Sequence, residues 1–121
     1  MKKFKVTVVK TAEYEVEVDE TIWNAKEQKE WEKTFWPLPP YSDDDDNPDV
    51  EAAGGFAQSL AENSCCLGVN EFIEGFGTCA QSEKYAKMFG EERFTKGLYI
   101  REIDVDYDSE IKEVKDDVQK V

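Results

Sequence analysis

Apolar and polar residues alternate almost without interruption from residue 3 to residue 19. A period of two with one apolar face is typical of a half-buried strand. Because no glycine, proline or asparagine marks a turn near residues 10–12, the pattern favours one long strand, bent or bulged, over a hairpin. The polar side of this strand ends in four acids: Glu13, Glu15, Glu17 and Asp19.

Apolar residues at helical spacing predict three helices, over residues 24–36, 47–67 and 82–90. Asn24 can cap the first helix, and prolines after residue 36 stop it. The second helix starts with an asparagine cap followed by Pro48, a residue favoured in the first helical position. The second and third helices each end at a glycine, Gly68 and Gly90, which is a common terminator.

Two further strands are predicted, at residues 71–79 and 98–108, and glycines interrupt the first of them. In the second, apolar and acidic residues alternate, which again indicates a strand with two different faces. The predicted apolar face carries Tyr99, Ile103, Val105 and Tyr107. The predicted acidic face carries Glu102, Asp104, Asp106 and Asp108.

The last stretch, residues 109–121, allows two interpretations. A helix capped by Ser109 fits the apolar spacing, and a hairpin turning at 107–110 with a strand at 111–116 fits nearly as well. The chain is expected to form a single domain, 1–121, with a mobile acidic loop at 37–47. The predicted fold is α+β: a small, mostly antiparallel sheet of three to four strands with two to four helices packed on one face.

The number of charged residues gives information about the surface of the protein. The chain of 121 residues has 28 acidic and 15 basic residues, a net charge of −13. Spread over the ~6,700 Å² that such a protein exposes, the excess charges would lie ~20 Å apart, well beyond the ~8 Å Debye length. Only clustered acids can therefore recognise a partner. Direct binding to nucleic acid needs lysine and arginine, so a basic protein is the expected partner instead.

Residues that carry catalytic or metal chemistry are few. The chain has no histidine, which excludes Ser-His and Cys-His catalysis and histidine-containing metal sites. Cys65, Cys66 and Cys79 match neither a disulfide framework nor a metal-ligand spacing, so structural packing is their expected role. Residues 75–80 fit the pattern GxGxxA, but the next helix begins too late for a dinucleotide site. We therefore predict no enzyme activity, no cofactor and no bound metal.

The apolar runs are short throughout the sequence. None approaches the ~20 residues of a membrane span, and the N-terminus alternates instead of forming the apolar segment of a signal peptide. Together with the lack of a disulfide framework, this predicts a cytoplasmic protein without a membrane partner.

The two acidic strand faces are the first candidate site. Carboxylates on one face of a strand stand ~6.7 Å apart. If the two strands were neighbours, they would present eight carboxylates on one open face, at a density comparable with the ~3.4 Å charge spacing of a DNA strand. Like charges opposite each other destabilise a sheet, which favours a functional use for them. If the strands are not neighbours, an ordinary solvated surface is the better interpretation.

A second candidate is the acidic loop. Its core is a run of four acids: Asp43, Asp44, Asp45 and Asp46. The spacing does not fit a calcium-binding EF-hand loop, so a solvated loop and a partner-binding loop remain the alternatives. Trp36 and Tyr41 lie beside the run and are candidate anchors, because aromatic residues dominate many interfaces.

These features favour an acidic inhibitor that occupies the basic, nucleic-acid-binding surface of a partner protein, as a DNA mimic does. Phages and mobile elements carry such small inhibitors against CRISPR and restriction enzymes, and the likeness is one of charge and size. One alternative is an immunity protein or antitoxin that neutralises a basic nuclease toxin. A second alternative is a metal-dependent enzyme using Asp104, Asp106 and Asp108, although their ~6.7 Å spacing suits a shared metal ion poorly.

Overall fold

The structure, a computed structural model, describes residues 1–39 and 47–115. In chain order its elements are β1 (Phe4–Val18), α1 (Ala25–Thr34), α2 (Pro48–Leu67), β2 (Phe72–Ile73), β3 (Gly77–Thr78), α3 (Glu83–Phe89) and β4 (Leu98–Glu113). A short 3₁₀ turn, Glu91–Arg93, precedes β4. The predicted α+β class is confirmed. The strands form two separate two-stranded antiparallel sheets, β1–β4 and β2–β3, instead of one sheet of three to four strands.

The long alternating stretch forms one strand without a turn, as predicted. β1 pairs with β4 along its whole length to give an antiparallel ribbon. The bulge lies on the partner strand: Glu13 pairs with Asp104 and Tyr14 with Glu102, which leaves Ile103 without an opposite residue. A bulge of this kind bends the ribbon and increases its local twist.

All three predicted helices are present, and their caps explain where they begin. The side chains of Asn24, Asn47 and Ser82 each accept a hydrogen bond from a backbone N–H of the first turn. These bonds satisfy donors that have no partner inside the helix. α2 ends at Gly68, whose φ of +99° suits glycine far better than other residues.

The predicted strand at residues 71–79 is a tight hairpin in the structure. Only β2 and β3, two residues each, are paired, and the turn between them contains Gly75 with a φ of +89°. The indole ring of Trp31 lies against this turn, and its Nε1–H donates to the Gly75 carbonyl oxygen at 2.8 Å. Gly75 therefore serves a turn that lies under an aromatic ring.

The core lies between the helices, the β2–β3 hairpin and the inner half of the ribbon. Trp31 is at its centre, with ring centroids of Phe35, Trp36, Phe56 and Phe76 at 4.9 to 5.5 Å. The buried apolar residues packed together are Trp23, Trp31, Leu38, Phe56, Leu60, Ile73, Phe76, Cys79, Leu98 and Ile100. Packing these aromatic rings together removes a large apolar area from water and so stabilises the fold.

The stretch after residue 108 corrects both interpretations of the tail. β4 continues straight through to Glu113, so neither a helix capped by Ser109 nor a hairpin turning at 107–110 forms. The pairing with β1 explains this result, because Phe4 is opposite Glu113 and extends the ladder to the end of both strands. Residues 116–121 lie outside the described residues.

Candidate partner-binding surface

β1 and β4 are hydrogen-bonded neighbours, so the two acidic stretches lie side by side on one ribbon. In the inner part of the ribbon, the even-numbered residues of β1 pack against the core. The odd-numbered residues therefore face solvent, since side chains alternate between the faces of a strand. The acids of β1 on this solvent face are Glu13, Glu15 and Glu17, and all three are exposed.

The bulge at Ile103 decides which acids of β4 join this face. Before the bulge, Leu98 and Ile100 point into the core. The extra residue reverses the alternation, so Asp104 lies opposite Glu13 on the solvent face. The acids of β4 beyond the bulge that share this face are Asp106, Asp108 and Glu110.

Glu102 lies on the other face of the ribbon, opposite Tyr14. The Tyr14 hydroxyl is 3.4 Å from a carboxylate oxygen of Glu102 and donates to it. The prediction that Glu102 shares a face with Asp104 and the following aspartates is therefore wrong. Tyr99 is also misplaced by the sequence pattern, because it pairs with Glu17 on the solvent face.

The acids on the solvent face form one line, which we call the acidic row: Glu17, Glu15, Glu13, Asp104, Asp106, Asp108 and Glu110. Only Glu13 and Asp104 are directly opposite each other. Farther out, the acids of β4 face the uncharged residues Thr11, Val9 and Thr7 of β1. The row thus crosses from β1 to β4 and extends ~33 Å over ten residue positions. The structure replaces the expected pair of facing rows with this single one.

One base interrupts the inner end of the acidic row. Arg101 lies opposite Glu15, and its Nε and one terminal nitrogen donate to the two carboxylate oxygens at 3.3 and 3.2 Å. The hydrogen bond and the charge of Glu15 raise the pKa of the Arg101 guanidinium. Arg101 therefore divides the row, with Glu17 on its inner side and a longer part that begins at Glu13 and continues outward along β4.

Sequence reasoning did not include Glu110 among the candidate residues. A turn at 107–110, which is one interpretation of the tail, would end the strand there and so exclude Glu110 from the acidic face. The available signal was the spacing: Glu110 continues the two-residue interval of Asp104, Asp106 and Asp108.

Asp19 lies just beyond β1, where it stabilises a turn. Its carboxylate accepts hydrogen bonds from the Thr21 backbone N–H at 3.0 Å and the Thr21 hydroxyl at 2.6 Å. These hydrogen bonds lower the pKa of Asp19. The side chain is exposed, but it is aimed at the turn and does not continue the acidic row.

The aromatic candidate Trp36 is engaged within the fold. It is half-buried, its ring packs edge-on against Trp31 at 4.9 Å, and its indole N–H donates to the Ser59 hydroxyl at 3.1 Å. The loop candidates Tyr41, Asp43, Asp44, Asp45 and Asp46 lie outside the described residues.

The remaining chemistry-bearing residues are scattered. Cys79 is buried, and burial raises the pKa of its thiol to about 11, whereas Cys65 is half-buried and Cys66 exposed. Within residues 1–39 and 47–115, no three histidine, cysteine, aspartate or glutamate side chains are grouped to hold a metal ion.

Comparison with protein-family models, with curated proteins and with solved structures found no match. None of the helices in the described part of the chain is long and apolar enough to cross a membrane. The role of the acidic row is therefore inferred from its own geometry and charge.

Proposed function

We propose that the protein is an acidic binding protein that occupies a basic, nucleic-acid-binding surface of a partner protein, acting as a DNA mimic. The observation that carries the proposal is the acidic row, a line of seven carboxylates on the exposed face of the ribbon, of which Glu15 is paired with Arg101. An inhibitor of a restriction or CRISPR enzyme is the kind of protein this surface suits.

The length and spacing of the row support the comparison with DNA. Successive acids on β4 stand ~6.7 Å apart, about two nucleotide steps measured along the axis of a DNA duplex. The whole row extends ~33 Å, close to one helical turn of DNA. Per unit of axial length, the row thus offers about one carboxylate for every two phosphates of one strand.

The spacing also lets the carboxylates act together. Neighbouring acids at ~6.7 Å lie within the ~8 Å Debye length of physiological salt. Salt therefore screens their electric fields only partly over this distance, and the fields of neighbouring acids add. Overlapping fields attract a basic partner from a distance and raise its association rate.

The proposal is tested by neutralising the row without changing its shape. The variant carries Asp104→Asn, Asp106→Asn and Asp108→Asn, which keep the side-chain size. A matched control carries Glu71→Gln, Glu74→Gln and Glu92→Gln, three exposed acids away from the ribbon. Both variants change the net charge by the same amount, so a difference between them reports the position of the charges.

The assay starts from a pull-down of the wild-type protein in host lysate at low salt, with release at high salt. The released partner is then titrated with each variant in competition with a labelled DNA duplex. We expect the row variant to bind about 10- to 100-fold more weakly than the control and to lose part of its salt dependence. Equal affinity of the two variants, or a partner that binds the protein and the duplex at once, would contradict the proposal.

A further inference from the structure

The outer part of the ribbon extends past the end of α2. We call residues 4–10 of β1 and 107–113 of β4 the ribbon arm. At its base, the Lys10 ammonium donates to the Cys65 carbonyl oxygen in the last turn of α2 and lies 5.9 Å from the centre of the Tyr107 ring. Beyond Lys10, every residue of the arm is exposed. Seven residues per strand give the arm a length of ~23 Å.

One face of the arm is apolar. The alternation that turns Val16 and Val18 of β1 toward the core continues outward on the same face, and the register places the odd-numbered residues of β4 beside them. We call the resulting surface the arm face, and its large apolar residues are Phe4, Val6, Val8, Tyr107 and Ile111. These residues are between 54 and 67% exposed.

A two-stranded ribbon with such a face is poorly suited to remain uncovered in water. Two strands alone are marginally stable and gain stability from a layer packed against their apolar side. The five side chains expose roughly 500 Å², which matches the largest apolar patches of ordinary monomers, and such patches are commonly interaction sites. Inside the described residues, α2 supplies this layer for the inner half of the ribbon only.

We propose that the arm face is a dimerisation surface and that its occupant is the arm face of a second copy of this chain. Two such faces packed together remove about 1,000 Å² of apolar surface from water, before the polar rim is included. That area reaches the lower limit of specific interfaces, so the expected dimer dissociates at about micromolar concentration. Two ribbons can stack face to face at ~10 Å, as sheets do in sandwiches.

The charges near the arm favour a second copy over other occupants. The arm, residues 4–10 and 107–113, contains three lysines and three acids, a net charge of zero, so the acidic excess lies entirely in the rest of the chain. Two copies of a chain with a net charge of −13 repel each other, and this repulsion is therefore smallest where they meet through their arms.

The order of these charges is self-complementary. Within the arm, the charged residues of the arm face are Lys10 at the inner end and Glu113 at the outer end, whereas Asp108 and Glu110 point to the opposite face. Within one chain, Lys2 and Glu113 already pair across the two strands at 3.2 Å. A two-fold axis across the strands lays the two arms antiparallel, so that Lys10 of each copy lies at the end where its partner has Glu113. The helices of the two copies then lie at opposite ends of the paired arms. A uniformly basic or acidic partner would meet a like charge at one of the two ends.

The proposed dimer leaves the acidic row accessible. The row lies on the opposite face of the same ribbon, so each copy presents it outward. The inference therefore does not depend on the proposed function, and either can fail alone.

The test is the oligomeric state of the full chain, measured by sedimentation velocity and light scattering from about 1 to 300 µM. Val8 and Val9 provide a matched pair, because they are adjacent, 59 and 54% exposed, and on opposite faces of the arm. Threonine keeps the β-branched shape of valine and removes apolar surface. We expect a dimer for the wild-type chain and for Val9→Thr, about tenfold weaker association for Val8→Thr, and a monomer for Val8→Thr combined with Ile111→Thr.

A melting curve and a circular dichroism spectrum of each variant establish that it is folded. The wild-type chain gives a second measurement, because the Val8 and Ile111 methyl signals in NMR should shift with concentration while those of Val9 stay fixed. A wild-type monomer throughout the concentration range, or equal weakening by Val8→Thr and Val9→Thr, would overturn the proposal.

Discussion

Substitution of Gly75 by alanine should destabilise the protein through its contact with Trp31. A Cβ at this position would lie 2.7 Å from Cζ2 of the indole ring, about 1 Å inside ordinary carbon–carbon contact. The φ of +89° adds a second cost, because side chains other than glycine avoid this region. We expect about 1–2 kcal/mol from the backbone and about 1–3 kcal/mol from overpacking, so the free energy of unfolding should fall by about 2–5 kcal/mol.

A double-mutant cycle separates the two contributions. Trp31→Phe removes the fused ring and the hydrogen bond to the Gly75 carbonyl oxygen, so it is destabilising by itself. In that background the indole atoms nearest the alanine methyl are removed, so the overpacking falls while the backbone cost remains. The double variant should therefore be more stable than additivity predicts, by about 1–3 kcal/mol.

The measurement is urea unfolding followed by far-UV circular dichroism, with the denaturant dependence compared among the four proteins. Unchanged m-values would show that stability, and not the compactness of the unfolded state, is being compared. Additive effects within about 0.5 kcal/mol would refute the reasoning, because they would mean that the ring of Trp31 does not restrict residue 75.

Two further predictions concern titration and thiol reactivity. Burial, followed by the charges of Cys65 and Glu102, raises the pKa of Tyr14 to about 12. Because the unfolded chain loses this proton at ~10, the stabilising contribution should be complete below that pH and disappear as the pH rises toward the folded value. Alkaline unfolding curves should show this decline for the wild-type protein and less of it for Tyr14→Phe, and identical curves would contradict it. In the native protein, alkylation followed by peptide mapping should label the exposed Cys66 first and leave the buried Cys79 unlabelled until unfolding, so labelling of both at one rate would be inconsistent with the structure.

The local elements were predictable because their signals lie within a few residues of one another. The asparagine and serine caps, the glycine terminators and the uninterrupted alternation of β1 each depend on neighbouring positions only. The hairpin at 71–79 is not predicted for a related reason: two glycines inside an apolar run indicate an interrupted strand, while in the structure the chain reverses at Gly75, under Trp31, and Gly77 begins β3.

The register of the ribbon was only partly visible in the sequence. Apolar residues occupy even positions at Leu98 and Ile100 and odd positions from Ile103 onward, and this change of parity is the signature of the bulge. Assigning a single parity to the whole strand placed Glu102 in the wrong row. The sequence does not predict that β1 and β4 are neighbours, because about eighty residues separate the two strands. Local spacing carries no information about such a distant pairing.

The bulge also explains how β4 packs against the core at its beginning and carries the acidic row on its solvent face farther along. If the alternation of Leu98 and Ile100 continued unchanged, Asp104, Asp106 and Asp108 would share the face that is buried farther in. One additional residue turns these acids to the solvent face and turns Tyr107 and Ile111 to the arm face. The acidic row and the apolar arm face are therefore two consequences of the same insertion. A ribbon that exposes seven carboxylates on one side and five large apolar side chains on the other has two surfaces of different chemistry, and a partner that neutralises the first leaves the second to be covered separately.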